Sequence, residues 1–378
     1  MPVPLKYPTV NWVNGMKMKK EHFVQQENAF EDKLKDTAGC FLTNYNYGLI
    51  PVRNNEESSF KAVFKVDKQK FLKATLFQVR ALTEGGARIE ILENINPREF
   101  SVDLSTYIEN SKKEESGIHY IVLSVDLFDR VPVGDLDGEE EPPRFPNSSP
   151  SYKITIFHEK EAARSGITPF SMFIGKMLVQ PDRVEVFDDY IPSSMSLRSH
   201  PRLTLFHAGV EKFFNQMEIY LLSIIGKIKE KGQDSSLATS VLLLSENLLG
   251  YLNTTLLAVR WELPDRPPLH LFRNIATFAR VMRNTIESNT AAQKEEMINY
   301  FTNWSELKQG DFEKLLVYCV NFGYDHRDIS GSVDQFEEFI QIMTALFSKL
   351  ESLAFIGKKK ETNIFVKENT TKRSFLAD

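Results

Sequence analysis

Cysteine is scarce: Cys40 and Cys319 are the only two in 378 residues, and no spacing pattern connects them. A disulfide framework or a cysteine-built metal site is therefore unsupported, and a reducing compartment is the simpler inference. Long apolar runs are missing too. No stretch reaches the ~18 uninterrupted apolar residues of a membrane span, and Met1 to Val10 lacks the apolar core of a signal peptide. A cytoplasmic protein with no direct membrane insertion is expected. Nor does positive charge dominate: 46 Lys and Arg face 51 Asp and Glu, a formal net charge of −5. That balance argues against nucleic acid as the main partner. The short basic clusters at Lys17, Lys19, Lys20 and at Lys358, Lys359, Lys360 read as solvated surface.

Reactive motifs are equally thin. None of the histidines (His22, His119, His158, His200, His207, His270, His326) forms the His-x-x-x-His or His-Glu-x-x-His pair that sets two metal ligands on one helical face. Gly85-Gly86 lacks the P-loop Lys-Ser/Thr and the dinucleotide fingerprint, so it reads as a hairpin turn; Gly-x-Ser-x-Gly is absent. Asp325-His326-Arg327-Asp328 is the densest polar cluster. A histidine between carboxylates is a general base only if a nucleophile faces it, and nothing else in the chain completes a triad, so this segment reads as a loop leading into a helix. A hydrolase would need a pocket setting His326 or His158 beside a serine or carboxylate. No catalytic residue, cofactor or metal site is expected, and the chain does not read as an enzyme.

What the sequence does have is phenylalanine, 28 of them, in a chain that is 42% hydrophobic and 26% charged. Aromatics bury large areas in cores and interfaces alike. The length suggests two or three domains. Residues 20–35 fit a short helix, with Phe23, Gln26, Phe30 and Leu34 at spacings of three and four. The period then changes to two, as in a half-buried strand: Phe60, Ala62, Phe64 and Val66 alternate with polar residues. Similar runs follow at 73–82, 87–92, 120–128, 152–157, 171–179 and 183–187, with turn signals at Glu84-Gly85-Gly86 and Gln180-Pro181-Asp182. An acidic, proline-rich segment, 134–150, suits an exposed loop. The first half is mostly β, a sandwich or a barrel.

Beyond Tyr190-Ile191-Pro192 the pattern turns helical. Leu203, Phe206, Val210, Phe213, Met217, Tyr220, Ile224 and Ile228 line one face, and Ser235-Ser236 can cap the next helix, running to about Leu263. A third long helix spans roughly 269–288, with shorter ones near 292–302 and 311–320. The last contains Val333, Phe336, Ile340, Met343, Phe347, Leu350 and Ala354, an unbroken 3-4 series. Such a seam packs into its own bundle or pairs across subunits; Phe206, Phe213, Met217, Val333, Phe336, Ile340, Met343, Phe347 and Leu350 are the candidates for either.

The opening residues carry a family resemblance. Trp12, Gly15 and Met16, then His22, Phe23, Gln25, Gln26 and Glu27, are similar to the start of TssK, a baseplate component of bacterial type VI secretion machines. Asp189-Tyr190-Ile191-Pro192-Ser193-Ser194 resembles that family's Tyr-Ile-Pro-Pro element, with Ser193 where a second proline is usual. Pro268-Leu269-His270-Leu271-Phe272, Ala276 and Tyr324-Asp325-His326-Arg327-Asp328 resemble two later elements. The resemblance implies an α+β multidomain chain: an N-terminal β-sandwich or barrel shoulder (1–195), then an α-helical bundle for the neck and trimerisation (196–355). A short C-terminal tail (356–378) follows, with the family's usual head absent or reduced, as in the divergent systems of Bacteroidota. It further implies a homotrimeric connector between the baseplate wedge, TssF and TssG, and a membrane-side complex of unknown identity, at the inner face of the cell envelope when assembled. A phage-type receptor-binding or tail-fibre-adaptor protein is the alternative. Trp12, His22, Phe23, Gln25 and Gln26 are candidates for baseplate contact or for packing of the N-terminal helix.

Overall fold

The structure, a computed structural model, describes residues 4–52, 58–112, 117–136, 138–162, 167–305 and 308–357. Apart from its first two residues, the expected tail lies outside the described residues.

An extended strap, residues 4–19, leads into helix α1 (Lys20–Gly39). The strands follow: β1 (Gly48–Leu49), β2 (Phe60–Val66), β3 (Phe71–Leu82), β4 (Arg88–Ile91) and β5 (Arg98–Asp103). After the short helix α2 (Ser105–Ser111) come β6 (Gly117–Val133), β7 (Asn147–His158), the one-turn α3 (Glu159–Ala162), β8 (Ser171–Val179) and β9 (Val184–Val186). Two antiparallel sheets result. In one, β3 is central, with β1 and β2 along one side and β4 and β5 along the other. The other runs β7-β6-β8-β9. Leu72, Leu76 and Val79 of the first sheet share a buried core with Ile121, Leu123 and Ile174 of the second, so the β half is a sandwich.

Alternation explains the choice of faces. In β2, Phe60, Ala62, Phe64 and Val66 are half-buried while Lys61, Val63 and Lys65 are exposed. The acidic segment is the tip of a long β6–β7 hairpin, whose pairing continues out to Val133 and Asn147. Ladder bonds thus extend into residues 147–150, which the sequence assigns to loop.

Among the described residues, six α-helices form the second half: α4 (Pro201–Glu230), α5 (Ser236–Trp261), α6 (Pro268–Glu287), α7 (Ala291–Trp304), α8 (Gln309–Val320) and α9 (Ser330–Ser352). Their starts follow local chemistry. Pro201 occupies the first turn of α4, the Ser235 hydroxyl accepts from Ala238 N–H at 3.2 Å, and Thr290 with Gln293 makes a capping box for α7. One continuous core fills the bundle, with Phe213, Phe214 and Phe278 stacked across α4 and α6 at centroid distances of 5.4–5.7 Å.

Candidate interaction surfaces

The strap is fastened to α1 by side chains of the helix. Asp32 accepts the backbone N–H groups of Lys6 and Tyr7 on one oxygen and the Lys35 ammonium, at 2.6 Å, on the other. Burial raises the Asp32 pKa, but the hydrogen bonds from Lys35, Tyr7 and Lys6 outweigh it and hold the carboxyl below its usual range. The Lys35 ammonium also lies 5.1 Å from the Phe170 ring centre and 5.8 Å from that of Phe128. Further along, Gln26 accepts Val10 N–H at 3.2 Å, and the Gln25 amide donates to the Pro8 carbonyl at 3.4 Å. The two glutamines of the opening motif therefore hold the strap.

The aromatic members of that motif do something else. The Trp12 ring sits 6.2 Å from His22 and 6.1 Å from Phe23, and both Trp12 and Phe23 are about half exposed, at 47% and 53%. Phe30 and Leu34, on the same stripe of α1, also face solvent. The residues that α1 buries are Ala29, Asp32, Lys35 and Gly39. Helical spacing identified the apolar stripe but not its direction, and the strongest inward signals proved to be a charge pair and two small residues.

The second landmark, residues 189–194, runs beside β1. Leu49 N–H donates to Ser193 at 2.7 Å and Met195 N–H to Leu49 at 2.9 Å. Gly48 permits this approach: its φ is +104°, and a Cβ there would lie 2.0 Å from the Ser193 carbonyl oxygen.

The third landmark, the loop between α8 and α9, meets the same place and joins the two halves. The Lys176 ammonium of β8 pairs with Asp328 at 2.6 Å, the Tyr120 hydroxyl donates to Asp328 at 3.3 Å, and the Tyr190 hydroxyl donates to the Arg327 carbonyl. Arg327 reaches the Ala162 carbonyl at 3.1 Å. His326 is buried. Its Nε2 lies 2.9 Å from the Tyr47 carbonyl, which can only accept, so Nε2 carries the proton and Nδ1 accepts from the Tyr324 hydroxyl at 2.6 Å. Burial pushes the imidazole down to about 4, so it is neutral at pH 7. The cluster that resembled half a catalytic triad is a partnered joint: the serine that meets it, Ser330, donates to Asp328 at 2.8 Å, and the His326 nitrogens are taken up by Tyr47 and Tyr324.

On the helical half, the expected seam residues lie in the chain's own core. Phe206, Phe213, Met217, Val333, Phe336, Met343, Phe347 and Leu350 are buried, and Ile340 is half-buried against them. The solvent-facing stripes of α4 and α5 carry different apolar residues: Leu205, Ile219 and Leu222 on the first, Leu243, Leu257 and Trp261 on the second. Ion pairs Lys229–Glu246 and Arg260–Glu211, both at 2.7 Å, tie these two helices together. By length and composition α5 is apolar enough to cross a membrane, and 33% of its most apolar window is buried. Its outward stripe also carries Glu246, Asn253 and Arg260. Among the described residues, no group of three or more His, Cys, Asp or Glu is placed to hold a metal ion.

No family model matches the chain, and no curated protein matches it. Solved structures do. A crystal structure of TssK is 14% identical, covering 89% of this chain and 69% of that one, with a TM-score of 0.48. A chain of the type VI secretion TssK–TssF–TssG baseplate subcomplex is 14% identical over 92% of this chain and 100% of its own, at a TM-score of 0.44. For a chain of the type VI secretion baseplate complex the values are 15%, 90%, 99% and 0.48. The chain is thus similar, at a distance, to solved structures of TssK and of the type VI secretion baseplate.

Proposed function

We propose that this chain is a structural adaptor of a type VI secretion baseplate, a TssK-like homotrimer that links the wedge proteins TssF and TssG to a membrane-side complex and works by binding, not catalysis. One observation carries the reading: among the described residues, each half keeps an exposed apolar surface, and a dense polar joint holds the halves together. On the β half the surface is the Trp12, His22 and Phe23 cluster with the outer stripe of α1. On the helical half it is the outer face of α4 and α5. An adaptor needs two such surfaces and a joint between them that keeps its geometry. Folded monomers seldom leave large contiguous apolar patches in water, so both surfaces call for partners.

The assignments follow from that layout. The wedge belongs on the β half, where Trp12 and Phe23, two of the residues that resemble the start of TssK, are exposed. Copies of the chain belong on the α4–α5 face, because the long seams of α4 and α9 are already used inside the bundle. The neck thus spans 196–355 and the shoulder 1–195, with the assembled trimer in the cytoplasm at the inner face of the envelope. Co-expression of the tagged chain with TssF and TssG of its source cell tests the reading. A stable complex containing three copies of the chain per wedge-binding unit is expected; a monomer that purifies without either protein would overturn it.

A further inference from the structure

A cavity of about 530 Å³ lies where the strap and α1 meet β6 and β7, within the range of roughly 300–1,000 Å³ that small-molecule sites occupy. We propose that it binds a small aromatic carboxylate, which fastens the strap to the sandwich. The inference goes beyond the adaptor reading and does not depend on it.

The floor of the cavity selects the head group. The Lys35 side chain is 3% exposed, and its ammonium carries three donors. Among the described residues one of them meets an oxygen, that of Asp32 at 2.6 Å. The Phe170 and Phe128 ring centres lie 5.1 and 5.8 Å away, so two N–H groups are left without an acceptor oxygen. Asp32 itself takes no part in the lining, because its two oxygens already receive Lys35 and the strap N–H groups of Lys6 and Tyr7. Ser124 and Thr168 add hydroxyls to the lining, each 2.8 Å from the Ser171 Oγ. Two bonds among three hydroxyls use two protons and leave the third to donate. Buried donors without acceptors are costly. An ionised carboxylate, which only accepts and does so on both oxygens, matches this floor. An ammonium head would set donors against donors.

The mouth sets no sign of its own. Lys6 and Lys153 stand there with Asp126 and Asp129, all four exposed, and their charges cancel. Asp126 is also tied down, since one of its oxygens accepts the N–H groups of Phe128 and Asp129 at 2.9 and 3.2 Å. Between mouth and floor the wall is apolar, with Leu127, Phe128 and Phe170. Two phenyl rings beside one ammonium suit an aromatic body, which packs offset or edge-on against them.

The strap supplies Pro4 and Lys6 to this lining, α1 supplies Lys35, and β6 and β7 supply Ser124 and Lys153. A ligand that needs all of these binds only the closed arrangement, and by mass action it slows the opening of the strap.

The test uses the full chain with phenylacetate as the probe and phenethylamine, the same body with an ammonium head, as its control. Calorimetry should show saturable phenylacetate binding at least tenfold tighter than that of the amine. Amide exchange at Tyr7 should slow at saturation. In the double variant Asp32→Asn/Lys35→Met both buried charges are removed, while the new amide oxygen still accepts the strap N–H groups. It is expected to lose phenylacetate affinity at least tenfold. Should that variant fail to fold, photolabelling of the wild type with 4-azidophenylacetate decides, with label expected at residues 124–129 or 168–170. Four results would each overturn the inference: equal affinity for the two probes, unchanged exchange at Tyr7, full binding by the folded double variant, or label placed elsewhere. A tenfold gain in affinity on deletion of Pro2 and Val3 would also overturn it, by making the start of the chain the occupant.

Discussion

Lys35 donates to Asp32 across 2.6 Å beneath α1, and neither side chain is more than 3% exposed. A charge pair occupies the inward face where an ordinary surface helix would place leucine, and the same carboxylate anchors the strap through Lys6 and Tyr7. Removing one partner of a buried pair leaves the other charge uncompensated, at about 3–5 kcal/mol. Asp32→Ala is therefore expected to lower the unfolding free energy by that order, read from denaturant titration, and to speed amide exchange at Tyr7 and Val10. Wild-type exchange in the strap would show that Asp32 does not hold it.

The seat of α1 has a second contact. Gly86, in the turn between β3 and β4, has a φ of +83°, and a Cβ there would lie 2.2 Å from the Lys35 carbonyl oxygen and 2.9 Å from the Gly39 nitrogen. An alanine must strain the backbone, at ~1–2 kcal/mol, and push the helix away. Gly86→Ala is expected to destabilise the protein by ~2 kcal/mol or more and to make the strap sensitive to protease. Gly138→Ala, with nothing within 4 Å of its added carbon, should change neither. Equal stability of the two variants would refute the close seat.

Much of this architecture was legible in advance. The 3-4 series of α4 and α9 located both helices, because burial in a bundle imposes that period on the sequence. The strand at 171–179 showed itself the same way, as a run buried along its whole length apart from half-buried positions at Lys176 and Leu178. By contrast β5 was silent. Phe100 and Val102 are its only apolar residues, and its identity comes from pairing with Phe71–Leu76 of β3. The candidate site was half legible. Spacing marked Phe23, Phe30 and Leu34, but direction depended on what lay beneath α1, and Asp32 and Lys35 give no apolar signal. The Gln25 and Gln26 contacts depend on a strap running back along the helix, which no local period encodes.

The joint at His326 makes stability depend on pH. Its folded pKa is about 4, and burial also lowers His200 to about 4, against 6.5 for a free imidazole. The unfolded chain therefore binds protons that the folded chain refuses between pH 6.5 and 4. The stabilisation is complete above about 6.5 and is lost as pH falls towards 4, by up to ~3 kcal/mol per histidine. Urea midpoints should fall steeply from pH 7 to pH 4.5. His326→Gln should be less stable at pH 7, through loss of the Tyr47 and Tyr324 bonds, yet show a shallower slope. An unchanged slope would remove His326 from the account.

Two substitutions in the helical half separate folding from assembly. Phe336 is buried between Phe272 and Phe322, with centroids at 5.4 and 4.9 Å, and Phe336→Ala should cost ~3–5 kcal/mol by leaving a cavity. Leu222 and Leu257 lie on the outer stripes of α4 and α5 and are 53% and 54% exposed, so arginine at either site costs the monomer little. In the proposed trimer those same positions meet a neighbouring copy, and an unpaired guanidinium there opposes association. Leu222→Arg and Leu257→Arg are expected to reduce the light-scattering mass from three chains to one without lowering the melting temperature of the monomer. A trimer that survives both would move the copy interface off this face, and a wild-type monomer at micromolar concentration would remove it altogether.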